Sequence, residues 1–138
     1  MQGKGIAVDR QLLCEAEMHE ETAYHQASRL LALSQPPTAL LCSSIGQALG
    51  VRRAAGERGM TIGRDIALIA HDDRLHELRA EAFDPPLTTT QSSIGDAGKR
   101  VVELAIDMLR EPERPLPREV WPVDLVVRAS TPPPAAAA

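Results

Sequence analysis

The chain has 138 residues, a formal net charge of −4, 43% hydrophobic and 25% charged residues. That is one domain's worth of chain, with enough apolar residues for a core and no room for two full domains. The acidic balance argues against a stand-alone DNA binder, which needs a basic footprint. An aromatic content of 2% (Tyr24, Phe83 and Trp121) argues against a platform that stacks single-stranded bases.

Cys14 and Cys42 are too few for a disulfide framework or a thiolate metal cage. Both stand in apolar runs, so both are expected to be buried and reduced. Gln2, Gly3, Lys4 and Gly5 do not open a secretory signal, and no run approaches the roughly 18 apolar residues of a membrane span. A cytoplasmic protein is expected.

In chain order, Gln11 to Met18 can form a first strand, weakened by two glutamates. From Glu20 to Leu33, Ala23, Ala27, Leu30 and Leu31 recur at helical spacing, and Pro36 and Pro37 stop that helix. Thr38 to Cys42 is a short apolar run that reads as a strand buried on both faces. Ser43 or Ser44 can cap a helix from about Ile45 to Arg58, with Gly59 placed to end it in a left-handed conformation. Gly46, Ala48, Gly50, Ala54 and Gly56 make this helix small-faced, which predicts close packing against a neighbour.

Gly63, Arg64 and Asp65 lead into another apolar strand, Ile66 to Ala70. These pieces spell β-α-β-α-β with short connections, predicting a parallel sheet flanked by helices. Further on, Asp84, Pro85 and Pro86 make a turn before a β-prone Leu87 to Thr90. Ser92 or Ser93 caps a long helix whose stripe is Ile94, Ala97, Val101, Leu104, Ala105 and Met108. After Pro112, Pro115 and Pro117, Val120 to Val127 reads as a late strand, with Pro122 pointing to an edge or bulge. Residues 131–138 (TPPPAAAA) read as a disordered tail beyond a domain of residues 1–130.

In an open parallel sheet, ligands bind outside the carboxyl ends of the strands. The residues expected there are Met18 and His19, Ser43 and Ser44, His71 to Asp73, and Gln91 and Ser92. Hydroxyls, an amide and carboxylates beside an apolar side chain suit a sugar-like or nucleoside-like ligand. Each has a plainer reading: Ser44 as a helix cap, Asp72 as a turn former, Met18 as core. Two sharper chemistries use the same residues. His71, Asp72, Asp73 and His76 offer metal-ligand types without a standard ligand spacing. Ser43 or Ser44 with His71 and Asp72 offers triad types without the G-x-S-x-G elbow. Gly3-Lys4-Gly5 matches no phosphate loop.

Pro37 to Cys42, followed by Ala48-Leu49-Gly50 and Glu57-Arg58-Gly59, resembles the LacI/GalR family of bacterial transcriptional regulators. Asp65 to Asp73, Pro85 to Thr89, Leu125 to Arg128 and Ser130-Thr131 extend the resemblance in order along nearly the whole chain. It implies a type I periplasmic-binding-protein-like fold: most of the C-terminal lobe and an incomplete N-terminal lobe. The DNA-binding headpiece would lie outside this sequence. It also implies effector contacts at Met18 (ring packing), Ser44 (commonly Asn), Asp72 (an effector hydroxyl) and Ser92. Ser44-Ile45 stands where an Asn-Asp pair is common, and Ala70-His71 replaces the usual glycine-aromatic pair.

The function so implied is effector binding by a regulator that is no enzyme and needs no cofactor or metal. The expected partners are a small carbohydrate-like molecule, a second copy of the chain, and operator DNA only through the headpiece. No membrane is expected as a partner. The long helix would lack its usual packing partner, so it either folds back on this lobe or mediates self-association. The alternatives are the sugar-binding component of a transporter, or a metal-dependent hydrolase using His71, Asp72 and His76.

Overall fold

The computed structural model of the chain describes residues 5, 7–74, 78–113, 115 and 117–131. In order, these form helix α1 (Glu20–Leu31), strand β1 (Ala39–Cys42), helix α2 (Ile45–Gly56), strands β2 (Ala67–Asp72) and β3 (Thr88–Gln91), helix α3 (Ile94–Arg110) and strand β4 (Asp124–Val126). The strands lie in the order β1-β2-β3-β4. The first three are parallel and β4 joins β3 antiparallel, so the sheet is mixed. Strand β4 starts only after Pro122, which has no N–H to give a ladder.

The expected first strand does not form. Arg10–Leu12 is a 3-10 turn, started by the Asp9 carboxylate accepting from Gln11 N at 2.9 Å, and residues 13–17 carry no regular structure. A local side-chain acceptor competes with a sheet ladder for the same backbone donor. Leu12 and Leu13 stay exposed, so pairing would bring no burial to offset the ordering of the chain. Cys14 is likewise exposed, against the expectation of burial, while Cys42 is buried and its thiol is pushed up to about 12 by desolvation.

Pairing register sorts the sheet into two faces. Leu40 and Cys42 stand beside Leu68 and Ala70, on the face that packs into the core with Ala48, Val51 and Ala55 of α2. Leu41 pairs with Ile69 on the opposite face and is 77% exposed, as is Leu125 at 61%. Strand β1 is therefore an edge strand with one open face rather than a strand buried on both.

Helix α2 meets α1 at Gly50. A Cβ there would lie 2.1 Å from the Glu20 carbonyl oxygen and 2.6 Å from Tyr24 N, so the two backbones touch only because the side chain is absent. The end of α2 is closed by Gly59 at φ +69°. Gly59 N donates to Gly56 O at 2.9 Å and Met60 N to Ala55 O at 3.0 Å, the crossed bonds of a left-handed helix stop. Before β2, the Asp65 carboxyl is lowered from 3.8 to about 2 by Arg64 and by the Thr61 N–H it accepts at 2.7 Å.

The last described residues stitch the base of the sheet. Ser130 is fully buried; its hydroxyl donates to Leu68 O at 2.6 Å and accepts from Thr88 N at 2.7 Å. Arg128 donates to Leu87 O and Thr89 Oγ1 and pairs with Glu81. Helix α3, capped by Ser93, buries none of its residues. Arg100 ties it to Glu119 at 2.6 Å, and Val101 and Leu109 remain exposed. It does not fold back on α1 and α2. Among the described residues, no helix is long and apolar enough to cross a membrane. His76, the opening residues 1–4 and residues 132–138 lie outside the described residues.

Gly50→Ala is expected to destabilise the fold by about 2–3 kcal/mol, because backbone cannot yield as a side chain does. Gly56→Ala, with nothing within 4 Å of its Cβ, is expected to stabilise it by roughly 0.5–1 kcal/mol. Urea unfolding of the two variants checks both.

Candidate functional site

Because β1, β2 and β3 run the same way, with Cys42 beside Ala70 and Ala70 beside Thr89, the residues that follow them emerge on one edge. A cleft of about 260 Å³ opens there, lined by Met18, Ser44, Ile45, Gly46, His71, Asp72, Asp73 and Leu78. Three of the four residues expected at the site, Met18, Ser44 and Asp72, meet in it. Ser92 does not line it; its hydroxyl stands 3.0 Å from Nε2 of His71, which does.

Met18 reaches the edge without a strand to carry it. The buried amide of Gln47, one turn into α2, donates from Nε2 to Glu17 O at 3.1 Å. Its Oε1 accepts from Ser43 N at 3.0 Å and Ser43 Oγ at 2.9 Å. One side chain thus fixes the Met18 segment and the β1–α2 turn together. Sequence reasoning passed over Gln47; a lone amide on the buried face of a helix was the available signal. Leu78, which adds an apolar wall, also went unmarked. Met18 itself is 63% exposed, so it is a cleft wall and not core.

Ser44 is the cap of α2, accepting from Gln47 N at 3.3 Å, with its own O–H still free to donate toward the cleft. Asp72 is 6% exposed and held from two sides: Oδ1 accepts from Arg74 N at 2.8 Å and Oδ2 from Gln91 Nε2 at 3.2 Å. Arg74 sits at φ 58°, the left-handed corner this turn requires. A carboxylate has about four lone-pair directions, so two such bonds leave it able to accept from a ligand hydroxyl. The turn-forming role and the cleft-facing position coexist in one residue.

His71 Nδ1 lies 2.8 Å from Thr90 Oγ1, and Nε2 lies 3.2 Å from Asp73 Oδ1. The ring makes its bonds to Thr90, Ser92 and Asp73, while Ser43 and Ser44 are bound to Gln47. The nucleophile–base hydrogen bond of a hydrolytic triad is therefore not formed by these residues. Among the described residues, no group of three or more His, Cys, Asp or Glu side chains is arranged to hold a metal ion.

Parallel strands that end together at a polar cleft, with two helices packed on one face, define an open α/β lobe. Residues 1–131 match the family described as periplasmic binding protein-like domain, and the chain belongs to that family, in its LacI/GalR branch. It is 45% identical over 131 residues to the HTH-type transcriptional regulator AglR of Rhizobium meliloti, covering 94% of this chain and 36% of that protein. Among solved structures, a regulatory protein of the LacI family from Chloroflexus aggregans is 29% identical, with a TM-score of 0.78 over 95% of this chain and 46% of that one. A LacI family transcriptional regulator from Enterococcus faecium, solved with bound ribose, is 25% identical, with a TM-score of 0.71 over 86% of this chain and 42% of that one. The chain spans little more than a third of the length of the curated relatives, which are named as regulators and not as enzymes.

Gln47→Ala removes the amide from both its partners. It is expected to cost about 1–2 kcal/mol and to speed proteolysis within residues 13–18. Limited proteolysis followed by mass spectrometry reads the second effect directly.

Proposed function

We propose that the strand-end cleft binds a small, hydroxyl-rich effector. On this reading the chain is the effector-binding and self-associating part of a LacI/GalR-type transcriptional regulator acting in the cytoplasm. The observation that carries it is the convergence of Met18, Ser44 and Asp72 on one cleft at the carboxyl ends of parallel strands. Asp72 would accept a ligand hydroxyl, Ser44 would donate to ligand oxygen, and Met18 and Leu78 would pack on C–H surface. Ser92 would act through His71 rather than by touching the ligand.

A relative solved with ribose supports a carbohydrate-like ligand, and relatives named as HTH-type regulators support control of operator DNA. With a net charge of −4, the DNA grip would belong to a part of the regulator outside residues 1–130, the span proposed here as the effector domain. Effector binding would shift the regulator between arrangements of different operator affinity, by binding one more tightly than the other. The names of the relatives favour this over a transporter's sugar-binding component.

A cleft of about 260 Å³ that stands open to solvent is smaller than the pockets that hold small ligands tightly, so affinity in roughly the millimolar range is expected. Amide shifts of the ¹⁵N-labelled chain titrated with neutral pyranosides should map to Ser44–Gly46 and Asp72–Asp73. Asp72→Asn should weaken the response by roughly tenfold, through loss of a charged acceptor. Silence toward every pyranoside, or shifts elsewhere, would defeat the reading.

Helix α3 supplies the proposed self-association surface, because Val101, Ile106 and Leu109 are exposed along it. Light scattering should give a mass above that of one chain, falling toward it in Val101→Glu.

A further inference from the structure

We infer that this cleft rejects anionic ligands and admits uncharged or amine-bearing polyols, and that Asp73, paired with His71, sets the choice. The inference rests on the ligand-binding reading above. Among the described lining residues the ionised groups are Asp72 and Asp73, and none is a lysine or arginine. A phosphorylated or carboxylated ligand would enter against two negative charges with no lysine or arginine among the described lining residues to meet it.

Two features of the lining could oppose that conclusion, and neither does. The first is the start of α2, where Ile45 and Gly46 reach the cleft. A helix end amounts to about half a positive charge, against two full negative ones beside it. The second is His71, the one described lining residue whose ring can take up a proton and become a cation. Among the described residues, the polar groups facing its ring are Asp73, Thr90 and Ser92, with Asp72 next to it on β2.

When His71 is neutral, one ring nitrogen donates and the other accepts, and Thr90 and Ser92 can satisfy both. When it is protonated, Nδ1–H meets Thr90 Oγ1 at 2.8 Å and Nε2–H meets Asp73 Oδ1 at 3.2 Å. In both states the nitrogens are engaged, and in the charged state Asp73 cancels the charge. His71 therefore has no N–H to offer an anion. Removing the Asp73 charge would leave the protonated ring's positive charge uncancelled at the cleft.

Inorganic phosphate is the probe, because it tests charge without requiring the effector. In the ¹⁵N-labelled wild-type chain, phosphate at up to about 50 mM should produce no saturable shift at Ser44, Ile45 or Gly46, at either about pH 5.5 or about pH 8. Asp73→Asn should bind phosphate at those amides at about pH 5.5, at least roughly tenfold more tightly than wild type, and lose that binding at about pH 8. The pH 8 spectrum of the same variant reports its fold. Adding His71→Gln to Asp73→Asn should abolish the acid-pH binding. Saturable phosphate binding by wild type overturns the proposal, and an Asp73→Asn chain that never takes phosphate overturns the part assigned to Asp73. A chain that rejects phosphate yet shifts with a neutral pyranoside meets both expectations. Silence toward all pyranosides overturns the ligand-binding reading instead, on separate evidence.

Discussion

The amide of Gln47 holds the candidate site together. It reaches out of α2 to a carbonyl of the irregular segment before α1 and accepts twice from the turn that follows β1. Without it Met18 would belong to a loose stretch of chain, and the cleft would keep two walls at most. A buried amide satisfied on both its nitrogen and its oxygen is costly to disturb, since its partners would be left unpaired with it. The position of an exposed methionine is thus set by a buried neighbour that does not line the cleft.

The remaining walls come from the sheet. Parallel pairing of β1, β2 and β3 delivers hydroxyls and carboxylates to one edge, and antiparallel β4 enters at that edge with Asp124 beside Gln91 without lining the cleft. Asp72 is fixed by a backbone N–H and by Gln91, and His71 by Thr90, Ser92 and Asp73. Such mutual anchoring means the cleft is formed before any ligand arrives, which limits the ordering that binding would cost.

Much of this was legible in the residues. Proline stops, serine caps and apolar runs marked α1, β1, α2 and β2 within a few positions, and the small face of α2 announced the contact that Gly50 makes with α1. What could not be read depends on neighbours distant in sequence. The Leu12-Leu13-Cys14 run resembles a strand, but whether it pairs depends on a competing acceptor, Asp9, and on what covers the sheet edge. The same holds for Leu41, whose apolar character says nothing about which face lies open. Ser92 follows β3 at the same edge, but its hydroxyl meets His71 Nε2, a partner set by the β2–β3 register and not by its own neighbours in sequence.

At the other end of the parallel strands, Ser130 bridges Leu68 O and Thr88 N with one fully buried hydroxyl. The seam between β2 and β3 is thus pinned at both ends, at its foot by Ser130 and at its crown by Gln91 on Asp72 and Thr90 on His71. A sheet clamped in this way behaves as a stiff plate, so a ligand gripping its rim would displace the lobe as a body rather than flex it.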